Sequence, residues 1–471
     1  MNQHETRASA YVAGPFVVLV FAMVAPIASA AEPIVAFPGA EGFGRFARGG
    51  RGGDVYHVTS LDDSGRGSLR DAIATKHPAV PRTVVFDVGG TITLKKPLRI
   101  EQVSGLTLAG QTAPGGGITV RDHATEFRTC TDIVVRYMRF RLGDDSKTSD
   151  DVLGFGPEGG GCRNVILDHV TATWGVDGIM DVYGADRFTM QWCLFGEALH
   201  DSTHYKKQPH AMLMSFRTTQ GGVSIHHNLL FSSRDRHPTL GGGAPAESNT
   251  KALFDFRNNV IYNWEGPCNL ASGRFNIVGN CWRPGPNTST DDDHRPIAPK
   301  AEAQNVTTGF IADNVFEARP EWNGDNYLAF AWGVRGGKYI GDVTPEKFKQ
   351  RAEVVVAADR PATQAAEEAA SLVLERAGAS LVRDAADERV IAGVKDRTNR
   401  RIDSQKDVGG WPRLEAGTPL PDGDGDGMPD AWEKGHGLNP RDPRDGNKVG
   451  RGGYTNLERY LDEITRPAPT E

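Results

Sequence analysis

Between residues 133 and 280, apolar side chains recur two positions apart in short runs broken by polar or glycine-bearing turns. The runs are Ile133-Val134-Val135, Val165-Ile166-Leu167-Asp168-His169-Val170, Phe188-Thr189-Met190-Gln191-Trp192-Cys193, Val223-Ser224-Ile225-His226-His227-Asn228, Phe254-Asp255-Phe256-Arg257-Asn258-Asn259 and Phe275-Asn276-Ile277-Val278-Gly279-Asn280. A period of two gathers one set of side chains on a single face, which is the pattern of a strand. The runs begin at 133, 165, 188, 223, 254 and 275, in steps of 32, 23, 35, 31 and 21 residues. Such uneven steps do not suit a propeller, and the hairpin turns every ~8–12 residues that mark a β-sandwich are missing. They suit a solenoid whose coils carry loops of different length, so the predicted fold is all-β, a parallel β-helix. Asn228, Asn259 and Asn280 hold the same place in their runs. Stacked coils would set these amides above one another, where they bond turn backbone that burial would otherwise leave unpaired.

The flanks of the repeat read differently. Ahead of it, Ala36-Phe37-Pro38-Gly39-Ala40-Glu41-Gly42-Phe43-Gly44 is glycine-rich, but no P-loop lysine follows, which argues against a nucleotide site. Strands are predicted over 54–59, 83–88 and 92–94, with a short helix over 68–73. After about residue 340 the composition turns helical. Residues 363–377 form a predicted helix that Gly378 can end, packing on the flank or end of the solenoid. The expected organisation is a signal over 1–30, the solenoid over 31–340, a helical extension over 341–415 and a small module over 416–471.

Composition narrows the setting. The chain has 471 residues, 56 of them glycine, and a net charge of −7, which argues against non-specific nucleic-acid binding. An acidic polymer could still bind through local basic groups or bound cations. The apolar run 16–24 followed by Ala28-Ser29-Ala30 has the form of a cleaved secretory signal. It falls short of the ~20 apolar residues of a membrane span. An extracellular or periplasmic protein is therefore expected. The five cysteines fit no zinc spacing, and in an exported chain Cys268–Cys281 is a candidate bridge.

Two acidic stretches carry candidate chemistry. Asp177 and Asp181 flank Gly178-Ile179-Met180, with Asp150-Asp151 upstream and Arg234-Asp235-Arg236-His237-Pro238 downstream. Carboxylates on neighbouring coils can meet, because coils stack about 4.8 Å apart. On a straight strand, however, Asp177 and Asp181 would lie roughly 13 Å apart, so for both to hold one calcium ion the chain must bend, and Gly178 is expected to permit it. Simple capping of a turn is the alternative for these two acids. The second stretch, residues 422–433, places Asp422, Asp424, Asp426, Asp430 and Glu433 at positions 1, 3, 5, 9 and 12 of a loop with Gly427 at 6, which is the EF-hand calcium pattern. The carbonyl of Met428 fills position 7, and residues 454–461 are the expected second helix. An acidic disordered tail is the alternative there. The segment looks like the small calcium modules appended to secreted bacterial proteins, with a structural role.

Taken in order, Phe37-Pro38-Gly39-Ala40-Glu41-Gly42-Phe43-Gly44, Val165-Ile166-Leu167-Asp168-His169, Asp177-Gly178-Ile179-Met180-Asp181 and Arg236-His237-Pro238 resemble the pectate lyases of polysaccharide lyase family one. The resemblance covers about residues 34–320. It implies a right-handed parallel β-helix and Ca2+-dependent β-elimination of polygalacturonate, an acidic polysaccharide, by a monomer. It assigns Asp151, Asp177 and Asp181 to the metal, Arg236 to the base, and Asp168-His169 to structural support. The chain has Gly241 where the family usually has a second arginine, and Arg234 is the candidate to compensate. The family's substrate lysine has no clear counterpart: Lys206, Lys207 and His210 are candidates, with Lys207 and His210 preferred. Arg234 and His237 are expected to bind substrate. Two other readings remain, a hydrolase on the same fold using a carboxylate pair and a non-catalytic carbohydrate-binding β-helix.

Overall fold

The computed structural model describes residues 33–466 apart from 78, 157–159, 244–251, 290, 301–306 and 355–358, together with residues 1 and 8. The predicted signal lies almost wholly outside the described residues. The chain divides into Met1–Pro33 and Ile34–Glu471, and the fold is that of the second unit.

The six apolar runs pair with one another in parallel register. Leu106, Ile133, Val165, Phe188, Val223, Phe254 and Phe275 face each other across successive strands of one sheet. Each is at most 1% exposed. Among the described residues the strands form three long parallel sheets of ten, nine and eight strands, and the chain visits the three in turn on each coil. This is the expected right-handed parallel β-helix, with its core along the axis. The asparagine ladder also forms. Asn228, Asn259 and Asn280 each donate a backbone N–H to the side-chain oxygen of the next asparagine, at 3.0, 2.9 and 3.0 Å. Two rungs extend it beyond the sequence reading, Asn314 and Asn326.

Two of the three outer faces have their own cover. On the ten-stranded sheet, Val134 and Ile166 pack against Ala36, Phe37, Ala40 and Ala47. The glycine-rich run docks beside them, with Phe43 and Gly44 N–H groups donating to Ser224 and Thr189 hydroxyls. The nine-stranded sheet is covered by helix Ala366–Arg376, within the predicted span, and by helix Ala385–Lys395, which had no sequence expectation. Val373, Leu374, Val390 and Val394 meet Leu229, Phe231, Val260 and Tyr262 there. Arg141, buried beneath the second helix, is held by Asp384 at 2.6 Å and Asp387 at 2.8 Å. Residues beyond 416 lie against the first coils, where Met428, Leu457, Tyr460 and Leu461 cluster with Ala109 and Val55. The candidate bridge Cys268–Cys281 does not form. The two residues belong to different sheets, and all five thiols are free and buried.

Asn259 accepts from Asn228 N–H at 3.0 Å and donates to Ile225 C=O at 2.8 Å. Asn259→Ala should therefore cost about 3 kcal/mol in urea unfolding, at roughly 1–3 kcal/mol per buried group left unpaired. A second expectation concerns pH. His227, 1% exposed and stacked on Trp192, is pushed down to about 4 by burial. The unfolded chain takes up a proton near pH 6.5 that the folded chain refuses until near pH 4. Stability is thus present above pH 6.5 and declines as pH falls towards 4, by about 3 kcal/mol for this one residue. Unfolding midpoints at pH 7.5 and 5 should differ less in His227→Asn than in the parent.

Candidate active site

Strand Gly178–Tyr183 lies inside the eight-stranded sheet. Its register sets Asp181 in a row with Gly154 and Ser215, and through Ser215 with Thr239 and Asn269. Alternation places this polar row on the outer face, while Met180 and Val182 enter the core. The Ser215 hydroxyl donates to Asp181 Oδ1 at 2.6 Å, and Arg236 Nη1 reaches the same oxygen at 3.4 Å. Asp235 does not pair with the guanidinium of Arg236. Its carboxylate accepts the Arg236 backbone N–H at 2.7 Å, which leaves the side chain free to turn towards Asp181.

Asp177 sits just before the strand, its N–H donating to the Asp150 carbonyl at 3.1 Å. The chain bends at Val176–Asp177, ahead of the two acids rather than between them as expected, and Gly178 opens the strand outside the left-handed region. Gly178 matters for space instead. A Cβ there would lie 2.6 Å from Asp151 Oδ1, so only glycine lets that carboxylate approach the strand. Burial, then the charges of Asp181 and Asp177, push Asp151 well above the usual carboxylate range. Burial likewise raises Asp181. The three acids repel one another across neighbouring coils, but their ligand atoms do not gather within 4.8 Å of one another as those of Asp177, His204 and His210 do. The tight grouping around Asp177 is with histidines: its Oδ1 lies 2.6 Å from His210 Nε2 and 3.6 Å from His204 Nε2. The two imidazoles stack at 4.0 Å. Burial lowers the pKa of His210, and His204, Lys206 and Arg236 add to the effect.

Beside the acids the groove is basic. Arg217, opposite Tyr183 in the register, donates to Ser215 Oγ at 3.3 Å. Lys300 follows the strand Ile297–Pro299, and burial, then Arg217, Arg236 and Arg335, hold its pKa below the usual lysine value. Sequence reasoning missed both. Strand alternation from Asp181 through the register could have found Arg217, whereas nothing local marks Lys300.

Other expectations need correction. His237 is 0% exposed and its ring is pushed down to about 4 by burial, so it lies beneath the surface a polymer would touch. Arg234 donates to the Pro209 carbonyl at 2.7 Å, next to His210. Lys207 is exposed in the turn after His204, and it is Lys206 whose charge His210 feels. Asp168 is held by Arg136 at 2.7 Å and Gln191 at 2.8 Å, a supporting role.

In the second acidic stretch, ligand atoms of Asp422, Asp424 and Asp426 lie within 4.8 Å of one another. Asp430 departs from the expected pattern. Its Oδ1 accepts Gly423 N–H at 2.7 Å and its Oδ2 lies 3.5 Å from Lys434 Nζ, so it holds the loop and its short helix together from outside. Helix Asn456–Glu463 stands where the second helix was expected, opened by a capping box of Thr455 and Glu458.

No model of a known protein family matches the chain. Curated proteins do. The chain is 36% identical over 450 residues to a probable pectate lyase C of Aspergillus fumigatus, covering 94% of this chain and 96% of that one. It is 35% identical over 427 residues to the one of Emericella nidulans, covering 88% and 89%. Among solved structures, a pectate lyase from Bacillus sp. N165 in complex with trigalacturonate superposes with a TM-score of 0.50 at 14% identity, over 73% of this chain and 99% of that one. That likeness speaks to the β-helix alone. Identity above 30% along nearly the full length of both chains speaks to descent, and the chain belongs to the pectate lyase family.

Proposed function

We propose that this protein is an exported, monomeric, calcium-dependent lyase that cleaves polygalacturonate by β-elimination on the outer face of the eight-stranded sheet. What supports the reading is that Asp151 feels the charges of Asp181, Asp177 and Arg236 across neighbouring coils, with Arg236 3.4 Å from Asp181. Held by the three carboxylates, calcium would draw charge from a uronate carboxylate and acidify the C5 proton. The protein's own groups do the rest. Ser215 and Arg236 orient Asp181. Arg217 and Lys300 supply positive charge for the carboxylates of an acidic polymer lying along the groove. Arg236 faces the acids from the next coil as the candidate base: only a neutral guanidine can accept the C5 proton, after which the C4–O bond breaks, the departing oxygen takes a proton from water, and an unsaturated end remains. His210, fixed on Asp177, lines the same edge. The loop 422–433 is a separate, EF-hand-like calcium module with a structural role.

Purified protein given polygalacturonate should release product with the ultraviolet absorbance of an unsaturated uronate, and a chelator should abolish it. New reducing ends without that absorbance would instead mean a hydrolase, and binding without cleavage a carbohydrate-binding protein. Arg236→Ala should lower kcat by at least ~100-fold, the usual range for loss of a proton-transfer group, with polymer binding retained. Gly178→Ala should displace Asp151 and raise the calcium requirement at least tenfold. Its far-ultraviolet circular dichroism should stay that of the parent.

A further inference from the structure

Around the C-terminal loop, several carboxylate oxygens are buried and have no hydrogen-bond partner: both of Asp424, both of Glu433, Asp426 Oδ2 and Asp445 Oδ1. Glu433 is 0% exposed, Asp445 2% and Asp426 4%. Among the described residues, none of these four side chains pairs with a lysine, arginine or histidine. Enclosing so much negative charge without a counter-charge costs far more than a fold's net stability, unless a cation or protons share the enclosure.

The arrangement identifies the donors. Ligand atoms of Asp426, Glu433 and Asp445 lie within 4.8 Å of one another, and Asp426 belongs as well to the group with Asp422 and Asp424. Asp445 lies outside the twelve-residue loop. Its Oδ2 accepts Asn439 N–H at 3.0 Å, which turns the unpaired Oδ1 inward. The next residue is Gly446, where a Cβ would stand 2.5 Å from Asp426 Oδ2. Asp430 is occupied with Gly423. Resting on the reading of 422–433 as a calcium module, we propose that Asp445 takes the place that Asp430 would fill, so that one Ca2+ ties the loop to the segment 439–447. Five carboxylates and no nitrogen donor select a hard cation of high coordination number.

The two tied segments both rest on the start of the β-helix. His57 Nε2 lies 3.2 Å from the Gly425 carbonyl, and Asn447 Nδ2 donates to the Gly53 carbonyl at 2.8 Å. Arg51 binds Glu458 at 2.6 Å in the helix that follows. The ion is thus a latch that holds the C-terminal segment against the first coils, remote from the groove with Arg236.

The test uses the full chain in the Asp181→Asn background, which weakens the groove's metal site. Added CaCl2 should still raise the melting temperature, and a chelator should speed proteolysis within 416–466 at least tenfold. Asp445→Asn should weaken calcium at this site at least tenfold by calorimetry and remove most of the thermal shift. Asp430→Asn should change the affinity less than threefold. A normal thermal shift in Asp445→Asn, or its loss in Asp430→Asn alone, overturns the role of Asp445 and leaves the module. No calcium-dependent shift in the background protein overturns the module itself, without bearing on the lyase assay.

Discussion

Parallel register is the constraint on which the rest depends. Inside the three sheets the backbone N–H and C=O groups pair with the coils above and below, so equivalent positions stack about 4.8 Å apart. One-residue slips are excluded because they would send Ile133, Val165, Phe188 and Val223 from the core to the outside. Once register is set, like meets like along the axis. Apolar residues make the core, and asparagines make a ladder that satisfies the turn backbone. Acids 26–30 residues apart in the chain come into one field, as with Asp151, Asp177 and Asp181.

Stacking acids is costly, and the molecule meets that cost in two ways. Where the acids are to stay structural, arginines are buried with them. Arg141 lies with Asp384 and Asp387, and Arg136 with Asp168. In the groove and in the C-terminal loop the carboxylates lack full compensation by the protein's own cations. Asp151 is driven well above its usual pKa, and Glu433 has neither oxygen bonded. Those are the two places proposed here for a dication. The two places differ in their surroundings: one lies beside Arg217, Arg236 and Lys300, the other where the C-terminal segment meets the first coils.

Small residues decide how near these charges come. Gly178 was expected to turn the chain, but the turn is one residue earlier, and the missing side chain serves to admit Asp151. The proposed exchange of Asp445 for Asp430 follows the same logic. A twelve-residue spacing specifies which acids could reach an ion, but the short helix from Asp430 starts with that carboxylate already bonded to Gly423.

The sequence by itself determined the β-helix, the register of its core and the asparagine ladder. Each of these is a periodic property: alternation of apolar residues, repetition of an amide. Tertiary structure alone decided what depends on side-chain direction and on partners far along the chain. It buried His237, turned Arg234 to Pro209, set His204 and His210 on Asp177, and brought Lys300 to Arg217 and Arg236. It also kept Cys268 and Cys281 on different sheets. No spacing encodes these outcomes, because loops of unequal length set how each coil's turn folds over the face, and the charges met there come from other coils.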